Sequence, residues 1–154
     1  MYRKILVPLD GSQLAECVLP HVESIAKGCS AQNVTFIRIV EPFYISGEGA
    51  AVFSQKDEDR INSENVAAAE NYLSRMINRI KYNGVNVQSK VIMGKATESI
   101  ADYATKNEVD LIIIATHGRS GISRWVWGSV ADRILRSACV PVLMVRAPGC
   151  VPGI

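Results

Sequence analysis

Leu111-Ile-Ile-Ile-Ala-Thr-His-Gly-Arg-Ser-Gly-Ile-Ser-Arg-Trp-Val-Trp-Gly-Ser-Val-Ala-Asp-Arg-Ile-Leu-Arg-Ser-Ala138 decides how this chain is read. Leu111 to Ala115 is an unbroken apolar run with three consecutive isoleucines, as expected of a strand buried on both faces of a parallel sheet. From Ser129, a candidate N-cap, the residues Val130, Ala131, Ile134, Leu135 and Ala138 recur at helical spacing, with Asp132 and Arg133 outside. Gly118, Gly121 and Gly128 lie between, with the hydroxyls of Thr116, Ser120 and Ser123 and the arginines Arg119 and Arg124. A strand ending in a glycine- and hydroxyl-rich loop that opens a helix offers unpaired N–H groups, a favourable dipole end and close backbone approach. That combination is an anion site. Trp125 and Trp127 read as packing residues beneath the loop.

Working outward, the same alternation repeats. Ile5 to Val7 is a short apolar strand ended by Pro8, and Asp10-Gly11-Ser12 is a turn in which Asp10 holds the backbone or faces ligand hydroxyls. Leu14, Cys17, Val18, His21, Val22 and Ile25 recur at helical spacing up to Gly28, with Pro20 predicting a kink or a late regular start. Val34 to Val40 is the second strand, stopped by Glu41-Pro42. Phe43 to Asn62 lacks clear periodicity and reads as a surface connection, with a mobile lid as the alternative. From Glu64, the residues Val66, Ala69, Leu73, Met76, Ile77 and Ile80 predict an amphipathic helix closed by Asn83-Gly84 as a left-handed cap. Val85, Val87 and Val91 alternate with polar residues as in a half-exposed strand near a sheet edge, ended by Gly94. Thr97 is placed to cap a helix with Ile100, Ala101 and Ala104 on its apolar side, and Pro141 to Val145 is a fifth strand. The residues 147–154 have the proline and glycine content of a loose tail.

Strands alternating with helices, without hairpin signals, predict an α/β fold: an open, twisted, five-stranded parallel sheet with helices on both faces, Rossmann-like in its layering. At 154 residues the expectation is a single domain spanning 1–154, large enough to bury roughly two thirds of its unfolded surface. A net charge of +2 with both signs scattered marks neither a nucleic-acid nor a membrane-surface binder. Cys17, Cys29, Cys139 and Cys150 show no metal or redox spacing, and Cys17 and Cys139 read as small core hydrophobes. No apolar run approaches the roughly 18 residues of a membrane span, and the first strand follows closely on Met1, so the expected location is cytoplasmic.

Ala115-Thr116-His117-Gly118, nine residues, then Gly128-Ser129 resembles the nucleotide-binding signature of the universal stress protein family, Gly-x-x-Gly-x9-Gly-Ser/Thr. Ala115 stands where the signature has its first glycine. Ile5 to Ser12 resembles the family's opening strand and turn, and Pro141 to Val145 its closing strand. The resemblance implies strand order 3-2-1-4-5, which puts the switch point between the first and fourth strands, where such sheets take ligands. It further implies ATP with a divalent ion, Mg2+ or Mn2+, bridging its phosphates. Gly118, Arg119, Gly121, Gly128, Ser129 and Val130 would hold the triphosphate, while Asp10, with Ala115 nearby, would face the ribose. The backbone of Ile39 would meet the adenine edge, with Pro8 and Leu9 packing beside it. Thr116 and His117 fill the variable pair of the signature. A methyl group at Ala115 is expected to crowd the sugar or forbid positive φ, costing on the order of 1 kcal/mol of binding.

His117 has no evident carboxylate or nucleophile partner, so no catalytic residue is assigned. The implied function is a regulatory ATP-binding protein of the stress-response type, with at most slow hydrolysis or self-phosphorylation. Two alternatives stand beside it: a nucleotide-free interaction module of the same fold, and an adenylyl-transferring enzyme. The enzyme alternative would need a Ser-Gly-Gly-x-Asp-Ser or His-x-Gly-His signature, neither of which is present. Val142 to Val145 form an apolar strand without a guarding charge, expected at a sheet edge, which predicts a homodimer joined through it, as the resemblance also implies.

Overall fold

The computed structural model describes residues 1–44, 54–116 and 129–146. In chain order they form β1 (Lys4–Pro8), a 3-10 turn (Ala15–Val18), α1 (Leu19–Gly28), β2 (Asn33–Val40) and α2 (Gln55–Arg79). There follow β3 (Asn86–Met93), α3 (Ala96–Lys106), β4 (Leu111–Ala115), α4 (Ser129–Ser137) and β5 (Val142–Val145). The strands make one parallel sheet in the order β3-β2-β1-β4-β5, so the expected 3-2-1-4-5 arrangement holds.

Side chains alternate across the sheet and divide the core in two. Ile5, Val7, Val34, Phe36, Leu111 and Ile113 face one side, where Val18, Val22 and Ala26 of the first helical segment and Leu73 and Met76 of α2 cover them. Leu6, Ile37, Ile112 and Ile114 face the other, covered by Ile100 and Ala104 of α3 and Ala131 and Ile134 of α4. Burial on both faces explains the continuous apolar run of β4, all of whose residues are buried. β3 and β5 are the edges, and their partial burial matches that position.

Several boundaries differ from the sequence expectation, each for a local reason. Pro20 sits in the first turn of α1 after the 3-10 segment, so the late regular start is what forms, and His21 points to solvent. α2 begins at Gln55, nine residues before Glu64, because Ser54 and Asp57 form a reciprocal capping box. The backbone N–H of Ser54 donates to Asp57 Oδ2 at 2.8 Å, and that bond chiefly holds the Asp57 carboxyl below its ordinary range. These first turns are exposed and steadied by charge pairs such as Arg60–Glu64, so no apolar period announces them.

α2 also ends early. Ile80 is extended, and Gly84, with φ +78, turns the chain beyond the helix instead of capping it. The break lets Tyr82, 8% exposed, tuck into the core and donate its hydroxyl to the Leu19 carbonyl at 3.2 Å. α3 starts at Ala96, with extended Lys95 rather than Thr97 before it, because Gly94 turns the chain at φ +155. Ser129 is the first described residue of α4, and the residue before it lies outside the described ones. The buried stripe of α4 is narrow, Ala131 and Ile134, so Leu135 is 47% exposed. Cys17 is half-buried and Cys139 exposed, so Cys139 is not the core residue expected.

Candidate functional site

The carboxyl ends of the strands lie along one edge of the parallel sheet, and the β1–β4 junction is its switch point. Chain leaving β1 turns toward the α1–α2 face, whereas α4, the helix that follows β4, packs on the α3–α4 face. The β1–β4 ladder pairs only Ile5 with Leu111 and Leu6 with Ile112. Beyond it Leu9 N–H donates to Ile37 of β2 and Thr116 N–H to Val145 of β5, each at 2.9 Å, the sides to which strand alternation turns them. Pro8, buried at the end of β1, has no N–H to give. Sheets of this kind take ligands in a crevice at this point, outside the carboxyl ends of the strands.

Asp10 stands at the head of this crevice. Its Oδ1 accepts from Ser12 N–H at 2.9 Å and Ser12 Oγ at 2.6 Å, and Ser12 Oγ accepts from Ala15 N–H at 3.2 Å. The Asx turn fixes the carboxylate and starts the 3-10 segment together, so both sequence readings of Asp10 remain compatible. Ile39 supplies a second feature. Ile37 addresses β1 through its carbonyl and Val40 addresses Gly94 N–H on the β3 side, so Ile39 turns its backbone groups toward β1. It does so past the last rung of the β1–β2 ladder, which ends at the pair Pro8–Ile37.

From β4 the site receives Ala115 and Thr116, both buried. Ala115 is an ordinary strand residue paired with Val145, does not have positive φ, and packs its methyl group into the α1–α2 core. The expected backbone strain at Ala115 therefore does not arise: glycine's freedom of φ is not required there. Because β4 and β5 are parallel, α4 must run back across the sheet, which brings its N-terminal residues Ser129 and Val130 to the same edge. Ser129 is exposed, and Val130 packs against the second core. Helix N-termini leave backbone N–H groups without intrahelical partners, and their dipole favours anions. His117, Gly118, Arg119, Gly121, Gly128 and both tryptophans lie outside the described residues. The sheet edge thus brings together Pro8, Leu9, Asp10, Ile39, Ala115, Thr116, Ser129 and Val130.

Other residues of this end went unread in the sequence. Arg38 lies under the Asp10 turn with its guanidinium carbon 5.5 Å from the centre of the Tyr72 ring. Tyr72 donates its hydroxyl to Glu16 Oε1 at 3.0 Å, and Arg79 reaches Glu16 Oε2 at 3.3 Å, so α2 holds the 3-10 segment through one carboxylate. Burial first, then the Glu16 bond and charge, push the Tyr72 phenol well above its ordinary value. Asn62 of α2 accepts from Phe43 N–H at 2.7 Å and donates to its carbonyl at 3.2 Å, latching the chain that leaves β2. A lone Arg in an apolar strand was the legible signal for the first of these features.

Among the described residues, no three His, Cys, Asp or Glu side chains converge to hold a metal ion, and no helix is long and apolar enough to cross a membrane. The donor set at the edge, backbone N–H groups, a hydroxyl and one oriented carboxylate, fits a nucleotide's phosphates and sugar. A divalent ion there would take its ligands chiefly from phosphate oxygens and water.

Comparison with known proteins agrees with this architecture. The model of the universal stress protein family matches residues 1–146. Universal stress protein MJ0531 of Methanocaldococcus jannaschii is 30% identical over 150 residues, covering 96% of this chain and 84% of its own length. A solved structure of MJ0577 superposes with a TM-score of 0.82 at 26% identity, over 97% of this chain and 99% of that one. Two more distant structures share the fold. A universal stress protein in complex with cAMP has a TM-score of 0.56 at 19% identity, covering 94% of this chain and 96% of its own. An Arabidopsis thaliana family protein with AMP bound has a TM-score of 0.63 at 15% identity, covering 95% and 92%. With matching motifs, sheet order and whole-length similarity, the chain belongs to the universal stress protein family.

Proposed function

We propose that this protein is a single-domain, ATP-binding regulator of the stress-response type, holding the nucleotide across the β1–β4 crevice. Asp10 faces the ribose hydroxyls, the Ile39 backbone meets the adenine edge beside Pro8 and Leu9, and Ala115 and Thr116 form the β4 wall. His117, Gly118, Arg119, Gly121, Gly128, Ser129 and Val130 surround the triphosphate, whose developing contacts are backbone N–H groups and the Ser129 hydroxyl. Mg2+ or Mn2+ joins through phosphate oxygens. No side chain is assigned to catalysis, so turnover is slow or absent. The single observation that carries the reading is the end of the β1–β4 ladder at Leu6 and Ile112, with an oriented carboxylate after β1 on one side and the first described residues of α4 on the other. The family members solved with AMP and cAMP lend it support from outside the chain.

The active form is a homodimer, paired two-fold through the edge strand β5, whose Val142, Leu143 and Met144 are only half-buried. A cytoplasmic location suits Cys17, Cys29 and Cys139, which are free thiols of the kind a reducing compartment keeps. The functional reading is tested by denaturing protein purified from cells and recording the ultraviolet spectrum and mass of whatever is released. An adenine nucleotide supports it. Protein that releases nothing and binds no added ATP is the nucleotide-free module instead.

A further inference from the structure

Gly11 has φ +84, and a Cβ there would stand 2.8 Å from Arg38 Nη1 and 3.0 Å from its Cζ. The turn therefore rests directly on the guanidinium. The guanidinium in turn lies over the Tyr72 ring, at 5.5 Å from its centre, in a cation–π arrangement. Tyr72 is fixed by its hydroxyl bond to Glu16, a residue of the 3-10 segment that the Asp10 turn begins. The contacts close a loop: Asp10 orients Ser12, Ser12 starts the 3-10 segment, and Glu16 anchors Tyr72. Tyr72 carries Arg38, and Arg38 supports Gly11, the residue between Asp10 and Ser12.

We propose that Arg38 is a positioning residue, a flat floor held by Tyr72 that fixes the Asp10 carboxylate for ribose recognition. Arg38 faces the α1–α2 side with Phe36, opposite in parity to Ile39, so it acts through the turn and not as a ligand contact. A planar guanidinium fits between a ring face and a glycine backbone; a lysine ammonium supplies the charge without the plate. Lysine therefore does not replace it. The ribose part of this inference rests on the nucleotide reading above, whereas the support of the turn does not.

Two readouts separate the two. The first is amide hydrogen exchange at Ser12 without nucleotide, since that N–H bonds to Asp10 Oδ1. Arg38→Ala and Tyr72→Leu are expected to speed it roughly two- to fivefold, the scale of a lost cation–π contact, while Tyr72→Phe keeps the ring and leaves it nearer wild type. The second is the affinity ratio of ATP to 2′,3′-dideoxy-ATP. Wild type should prefer ATP about tenfold, as expected for hydroxyls bonded to a carboxylate, and Arg38→Ala and Arg38→Lys should bring the ratio toward one. A general loss of stability would weaken both ligands equally and leave the ratio standing. Unchanged Ser12 exchange in Arg38→Ala overturns the inference, as does an unchanged ratio in that variant beside a discriminating wild type. A wild type that does not discriminate, with Ser12 exchange still faster in Arg38→Ala, removes the ribose role and keeps the floor.

Discussion

Replacing Gly11 by alanine separates two costs that the structure predicts at one position. The first is conformational: at φ +84 an L-residue is strained by about 1 kcal/mol. The second is displacement of the Arg38 guanidinium, 2.8 Å from the new methyl group, off the Tyr72 ring, worth about 0.5–1 kcal/mol at a partly exposed site. Gly84 isolates the first term, because its φ is +78 and nothing lies within 4 Å of a Cβ there. Gly28 is the control, at the end of α1 with open space around it and no positive φ. Equilibrium urea denaturation should show Gly11→Ala destabilised by about 2 kcal/mol and Gly84→Ala by about 1 kcal/mol. Gly28→Ala should be neutral or slightly stabilising, by at most about 1 kcal/mol. In thermal melts the Gly11 variant should fall by about 4–8 °C, given the entropy of unfolding at this chain length. Equal losses in Gly11→Ala and Gly84→Ala would refute the contact with Arg38, and no loss in either would refute the backbone reasoning.

Burial, with the Glu23 charge second, pushes the Tyr82 phenol up to about 12, and Tyr72 is raised as well. The folded state thus binds these protons more tightly: the stability is complete below about pH 10 and lost as pH rises toward 12. The double variant Tyr72→Phe, Tyr82→Phe should show a flatter decline across that interval, and a slope equal to wild type would contradict the assignment. Burial also raises the Cys17 thiol, while Cys139 is exposed, so mass mapping after brief iodoacetamide treatment should find Cys139 modified well before Cys17. Val142→Lys with Met144→Lys should convert the proposed dimer to monomer in sedimentation; an unchanged dimer would put the interface away from β5, and a wild-type monomer would remove it.

The sheet was legible because burial on both faces writes itself as unbroken apolar strands, as in Leu111 to Ala115, and because Pro20 and Gly94 mark their own boundaries. What escaped were elements held by polar contacts. The first turns of α2 depend on the Ser54–Asp57 box and surface charge pairs, which have no apolar period. The end of α2 is decided by where Tyr82 finds a carbonyl, a tertiary event that Asn83-Gly84 does not reveal. The places of Asp10, Ile39 and Ser129 at the carboxyl edge of the sheet were readable from strand ends and the glycine pattern. The Arg38–Tyr72 pair was not, because its members are 34 positions apart and meet only through sheet register and helix packing. Ala115 shows the converse: a departure from a motif carries no backbone strain where the chain is ordinary strand.

The central claim is that ATP is held between the Asp10 turn and the segment from Gly118 to Val130. Calorimetric titration of ATP with Mg2+ into wild type, Ser129→Ala and Gly118→Val tests it most directly. The account predicts one nucleotide per chain in wild type, a loss of about 1 kcal/mol in Ser129→Ala from one missing hydrogen bond, and no measurable binding when a valine side chain blocks approach at Gly118. Equal affinity in all three proteins would contradict it.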